Sequence, residues 1–322
     1  MRTRTSLGLA VTLSCAALVT VVGVARDGVG DTATSPTPPP RGPYVALGDS
    51  YTAGPKIPGR HGKPAGCDRS DRNYPALVAA ELGLERAEFR DVSCSGATTG
   101  DLSAAQDTDD GTNPAQLSAV SASTRLVTVG IGGNDIGFGS LITGCVKAGV
   151  RYQLKSRIGD SAPDRAPCRE RQTSGGTDAV ETKIEATSGR VADVLGDIRR
   201  RAPEARVYVV GYPTILPARG ADCGPEMGLA PGDVTYLRQK EQQLNTMLRE
   251  AATDAGAGYV DTYAPSDGRD ACAKADVRWV EPLIPAAPAA PVHPNERGER
   301  GMAQAVLRAV RAAGRRGSPR GP

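Results

Sequence analysis

The 322-residue chain has two histidines, one tryptophan and two phenylalanines, and no Cys-x-x-Cys pair among seven cysteines. Two histidines cannot build a histidine-rich metal centre, and the missing Cys-x-x-Cys removes the usual zinc framework. Neither a metal nor any other cofactor is expected. Positive charge is also scarce where it would matter. The net charge is +3, and removing Arg2, Arg4, Arg315, Arg316 and Arg320 at the two ends leaves −2 for the body. With no basic face in the body, nucleic acid is not an expected partner. Internal repeats are absent, so a solenoid or propeller is excluded.

What is present begins with a leader-like N-terminus. Arg2 and Arg4 precede an apolar run from Leu7 to Ala25, closed by the small residues of "VGVA". Residues 1–25 are expected to be a secretory signal, with an uncleaved membrane anchor as the alternative. Cys15 lies inside that run without a lipobox. Residues 26–42 form a Pro/Thr-rich linker, 43–312 one domain with a sizeable core, and 313–322 a basic flexible tail. Export leaves six cysteines, Cys67, Cys94, Cys145, Cys168, Cys223 and Cys272. An even count in an oxidising compartment reads as three disulfides, and fifteen pairings are open. The sequential one is the simplest.

Five short apolar runs read as buried parallel strands because both faces are apolar: 44–48, 89–94, 125–132, 206–212 and 258–263. Between them lie helical stretches. "NYPALVAAELG" ends at Gly83. From Thr177 to Arg201 apolar residues recur at helical spacing before Pro203, and from Asp233 to Ala255 a second stripe does the same. The last helix follows "HPNERGERGMAQAVLRAVRAA". Residues 55–72 and 145–176 are expected to be long loops, functional or stapled. The alternation predicts an open α/β sheet, whose ligands bind beyond the carboxyl ends of the strands.

Three of those ends carry polar residues beside glycine, "GDSYTAG" at 48–54, "SCSGATTGD" at 93–101 and "GIGGND" at 130–135, and a fourth such block, "VHPNERG" at 292–298, comes near the end of the chain. Taken singly, Ser50 is a turn or N-cap serine, Gly96 a turn glycine, Asn134 a turn residue and His293 a surface histidine before a helix that Asn295 caps. Taken together they supply what acyl transfer requires: a hydroxyl, a base near neutral pH, and donors for a developing oxyanion. His61 sits in "GRHGKP" without apolar anchors and reads as a solvated loop residue. "DTDDGTN" at 107–113 lacks the spacing and closing acid of a calcium loop, and reads as an acidic surface loop. The G-x-S-x-G elbow of α/β-hydrolases is absent around Ser50.

These four blocks, in this order, resemble those of the GDSL or SGNH hydrolases, and more narrowly the secreted actinomycete lipases and esterases of that family. The resemblance spans roughly residues 43–312. It implies a flavodoxin-like fold, with a five-stranded parallel sheet flanked by helices. It implies Ser50 as nucleophile, an oxyanion hole from the Ser50 and Gly96 N–H groups and the Asn134 side chain, and His293 as general base and then acid. It also implies the pairing Cys67–Cys94, Cys145–Cys168 and Cys223–Cys272. One position departs from the family pattern: many members carry an Asp three residues before the histidine, and here Ala290 stands there. Some members work with a Ser-His dyad in which a backbone carbonyl orients the imidazole. The carbonyl of Pro291, or failing that Ala290, is the expected orienter, with Glu281 or Asp276 as acidic stand-ins.

The resemblance points to a secreted, monomeric enzyme acting on small-molecule or lipid esters, with transient contact with lipid surfaces. A carbohydrate O-acetylesterase and a non-catalytic surface binding protein are the rivals. Scarce aromatics argue against a sugar platform. Tyr51, Tyr212 and Trp279 are candidates to line an acyl groove, and each reads equally well as plain core.

Overall fold

The computed structural model describes residues 42–156, 165–219, 223 and 227–316. The expected signal (1–25), the linker apart from Gly42, and the tail beyond Arg316 lie outside the described residues.

In chain order the strands are β1 (Tyr44–Gly48), β2 (Phe89–Asp91), β3 (Gln106–Thr108), β4 (Gly111–Asn113), β5 (Leu126–Gly130), β6 (Arg206–Val210) and β7 (Gly258–Val260). The helices are α1 (Ser50–Ala53), α2 (Tyr74–Glu81), α3 (Gly100–Ser103), α4 (Phe138–Ser156), α5 (Pro167–Gln172), α6 (Ala179–Arg201), α7 (Pro231–Asp254) and α8 (Glu296–Arg316). Five strands form one parallel sheet in the order β2-β1-β5-β6-β7. With β3 and β4 set aside as a separate antiparallel hairpin, this is the flavodoxin-like order. The chain leaves β1 toward β2 on one side and returns to β5 on the other, so a crevice opens at the carboxyl ends of β1 and β5.

Alternation along each strand divides the core in two. Tyr44 and Ala46 of β1 pack with Tyr208 and Val210 of β6 against α2 and α8. Val45 and Leu47 pack with Val127, Val129 and Val209 against α4, α6 and α7. Both faces of these strands are therefore buried, which is why they read as continuous apolar runs. Helix α6 buries Val180, Ile184, Val191, Val194, Leu195 and Ile198, the residues its spacing predicts, together with Thr187. Asp178 caps it by accepting from the Val180 and Glu181 N–H groups. Asn73 caps α2, and the chain turns out of that helix through Gly83 at φ 67°.

The structure corrects two expectations. The stretch 145–176 is not one long loop: α4 runs on to Ser156, and α5 occupies Pro167–Gln172. Leu141, Ile142, Cys145 and Ala148 recur at helical spacing and are buried. Gly139, Gly144 and Gly149, with the polar run after Val150, mask that period in the sequence. The acidic stretch 107–113 lies at the surface as expected, with Asp107, Asp109 and Asp110 exposed, but instead of a loop it is most of the β3–β4 hairpin, turning at Asp109 and Asp110. Three disulfides join Cys67–Cys94, Cys145–Cys168 and Cys223–Cys272. The first staples the 55–72 loop to the end of the β2 segment, and the second joins α4 to α5.

Candidate active site

Ser50 is the first residue of α1, directly after β1. Two features of the sequence produce that turn. Gly48 has φ 153°, and a Cβ there would lie 2.2 Å from Thr52 Oγ1 and 2.6 Å from the Gly130 carbonyl, so only glycine fits. Asp49 is the N-cap, its Oδ1 accepting from the Tyr51 N–H at 2.9 Å. The Ser50 N–H is one of the helix's unpaired first-turn donors. Gly96, at φ 80° in the loop after β2, holds a conformation that favours glycine. Neither its N–H nor that of Ser50 donates to a backbone acceptor among the described residues. Asn134 follows β5, and its amide donates to the Ala97 carbonyl at 2.9 Å, joining the second and third blocks. Asp135 strengthens that junction by accepting from the Thr99 N–H at 3.0 Å and from Arg190 at 3.2 Å.

His293 comes from the segment before α8, 243 residues after Ser50, and its Nε2 lies 2.7 Å from Ser50 Oγ. Its Nδ1 lies 2.7 Å from the Pro291 carbonyl oxygen. A carbonyl only accepts, so Nδ1 carries the proton and Nε2 is left to accept from the serine hydroxyl. Burial of the ring pulls the His293 pKa below its ordinary 6.5, while the bond to Pro291 opposes the shift. The Ala290 carbonyl accepts the His293 backbone N–H at 3.2 Å, closing the turn rather than orienting the ring. Glu281 is committed elsewhere. Its carboxylate receives Asn295 at 2.7 Å, Ala286 N–H at 2.8 Å and Arg278 at 3.2 Å. Burial raises its pKa, but these donors outweigh burial and hold it below the usual range. Asp276 is exposed. His61 is half-buried in its loop rather than solvated; its backbone N–H donates to the Arg69 carbonyl, and it does not line the cleft.

Two tyrosines knit the site together. Tyr51 donates its hydroxyl to the Val292 carbonyl at 2.6 Å, and its ring centroid lies 4.9 Å from that of His293. Val292 has φ 60°, a costly left-handed conformation for a β-branched residue. Tyr212 donates to Asp49 Oδ2 at 2.6 Å and accepts from the Gly133 N–H at 2.8 Å, so one hydroxyl ties the residue before Ser50 to the residue before Asn134. Burial pushes the Asp49 pKa up to about 7, against the pull of Tyr212 and the Tyr51 N–H. The composition makes both tyrosines groove candidates, and both line the cleft. Their hydroxyl bonds span 241 and 163 residues and leave no local signal. Trp279 takes the core reading instead. It packs in the core against Gly301 of α8, where a Cβ would lie 2.1 Å from the indole ring, and it does not line the cleft.

Ser50, Gly96, Asn134 and His293 converge on a cleft of roughly 520 Å³. Phe138, Ile142, Ile215, Leu244, Leu283 and Val292 give it apolar walls. A hydroxyl in contact with an imidazole, beside unpaired N–H donors at the carboxyl ends of a parallel sheet, defines the class of three-layer α/β carboxylic ester hydrolases. Within that class, the chain belongs to the GDSL-like Lipase/Acylhydrolase family, whose model matches residues 46–300. It is 40% identical to Lipase 2 of Streptomyces coelicolor over 273 residues, 83% of this chain and 86% of that protein. Its fold is similar to the crystal structure of phospholipase A1 from Streptomyces albidoflavus NA297, with TM-score 0.67 and 29% identity over 84% of this chain and all of that one. The extracellular lipase from Streptomyces rimosus aligns with TM-score 0.65 and 28% identity, covering 83% and 98%.

Proposed function

We propose that the protein is a secreted, monomeric lipase or esterase that cleaves acyl esters of lipids through Ser50 and His293. The observation that carries this reading is the 2.7 Å contact between Ser50 Oγ and His293 Nε2 on an apolar-walled cleft. Ser50 attacks the ester carbonyl and His293 takes its proton. The oxyanion forms on the N–H groups of Ser50 and Gly96 and on the Asn134 amide. His293 returns the proton to the leaving alcohol. It then deprotonates the water that releases the acid and restores Ser50. The Pro291 carbonyl holds the imidazole tautomer in the role a triad acid would fill, without the acid's charge. Residues 1–25 serve as the export signal, in keeping with the relative described as extracellular. Among the described residues no helix is long and apolar enough to cross a membrane.

A series of p-nitrophenyl esters from acetate to palmitate tests the reading on wild type and Ser50→Ala. Turnover extending to long acyl chains, and lost in Ser50→Ala, is the expected result. Turnover of acetate alone would point to an O-acetylesterase, and none at all to a binding protein.

A further inference from the structure

Three of the four large hydrophobic side chains exposed among the described residues border the cleft or continue from it. They are Val150 at 45%, Leu154 at 60% and Ile284 at 85% exposure. The first two lie on α4. Gly139 and Thr143 of that helix line the cleft. With Lys147, Val150 and Leu154 they follow a 4-4-3-4 spacing, which places all five in one stripe along a helix. All five are exposed, whereas Leu141, Ile142, Cys145 and Ala148 face the core. The stripe therefore leads outward from the mouth of the cleft. Ile284 lies in the segment 282–291, which contains no charged residue. Its neighbours Leu283, Ala290 and Pro291 line the same cleft.

The charge on α4 has one sign. Helix α4 carries Lys147, Arg151 and Lys155, all exposed, and no acidic residue. At the mouth, Lys56 is 61% exposed, and the nearby Asp68 is paired with both Lys56 and Arg60. Apolar side chains flanked by cations are the composition of elements that lie in the plane of a lipid interface. Each cation near an anionic leaflet adds attraction.

Resting on the lipid-ester reading above, we propose that the outer face of α4 and the 282–291 loop dock the enzyme on anionic lipid surfaces. Val150, Leu154 and Ile284 enter the interface, Lys147, Arg151 and Lys155 meet the headgroups, and the cleft opens onto the membrane. A mixed phosphatidylglycerol and phosphatidylcholine bilayer is the probe. Binding is measured by vesicle co-sedimentation of protein recovered from culture medium, in a Ser50→Ala background so that lipid is not consumed. Binding should require phosphatidylglycerol and weaken with added salt. Val150→Asp/Leu154→Asp should weaken it by about tenfold or more, and Lys147→Glu/Arg151→Glu should do the same. With Ser50 intact, both double variants should keep wild-type kcat/KM on soluble p-nitrophenyl butyrate, which reports that they fold. Unchanged vesicle binding by the double variants overturns the proposal, and so does equal binding to pure phosphatidylcholine. A change in self-association without a change in vesicle binding overturns it in favour of a second copy. Fatty-acid release by the Ser50-intact protein from the same vesicles tests the lipid-ester reading separately, since docking without release leaves this surface standing and removes only that reading.

Discussion

At the scale of single residues, the site depends on which atoms keep a free donor or acceptor. Asn134 spends one N–H on the Ala97 carbonyl and has a second, which the proposed mechanism gives to the oxyanion. Asn134→Ala should lower kcat by about 10²–10³, the usual worth of one such donor, with little change in KM. Unchanged kcat would remove Asn134 from the hole. In the proposed mechanism His293 must be neutral to accept the serine proton. Burial disfavours the imidazolium, so more acid is needed to form it than in water. The kcat/KM of the wild type should therefore rise with pH through a value below 6.5 and stay level above it. A midpoint above 6.5 would contradict that sign.

At the scale of elements, His293 reaches Ser50 because the segment before α8 is held from several sides. Its backbone pairs with Glu281, Ala290 hangs from the Pro55 carbonyl, and Asn295 caps α8 through the Arg297 and Gly298 N–H groups. Tyr51 adds a bond from α1 to the left-handed Val292. Its hydroxyl is a positioning group, since it acts through the loop that carries His293. Tyr51→Phe removes one partly buried hydrogen bond, worth about 0.5–1.5 kcal/mol. If that bond aims the imidazole, kcat should fall about three- to tenfold while KM holds. A loss of thermal stability with unchanged kcat would reduce Tyr51 to a structural role.

At the scale of the whole molecule, the disulfides tie together segments that are distant in sequence. Each closes a span of 27, 23 or 49 residues, and removing one commonly costs about 2–5 kcal/mol. They should differ in effect on turnover. Ser95 donates its N–H to the Cys67 carbonyl, so the Cys67–Cys94 link supports the backbone at Gly96. Cys67→Ser/Cys94→Ser should lower both Tm and kcat, whereas Cys145→Ser/Cys168→Ser should lower Tm and spare kcat on soluble esters. Melting curves and steady-state kinetics on the two double variants distinguish these outcomes.

The local sequence was enough to determine the five strands, the helices α2, α6, α7 and α8, and the four polar, glycine-bearing blocks. Each of these is written in neighbouring residues: runs apolar on both faces, period-3.6 stripes, a capping Asn or Asp, and glycine where φ is positive. The extent of α4 was not legible, because its glycines and polar tail hide a stripe that only packing against the core reveals. The bonds of Tyr51 to Val292 and of Tyr212 to Asp49 were decided by the tertiary structure alone. So was the commitment of Glu281 to Asn295 and Arg278 rather than to His293. Contacts between residues more than 150 positions apart impose no spacing on the chain, and an acid's partner depends on where the fold places its competitors. The four blocks state which groups are available. The crevice where β1 and β5 part decides which of them meet.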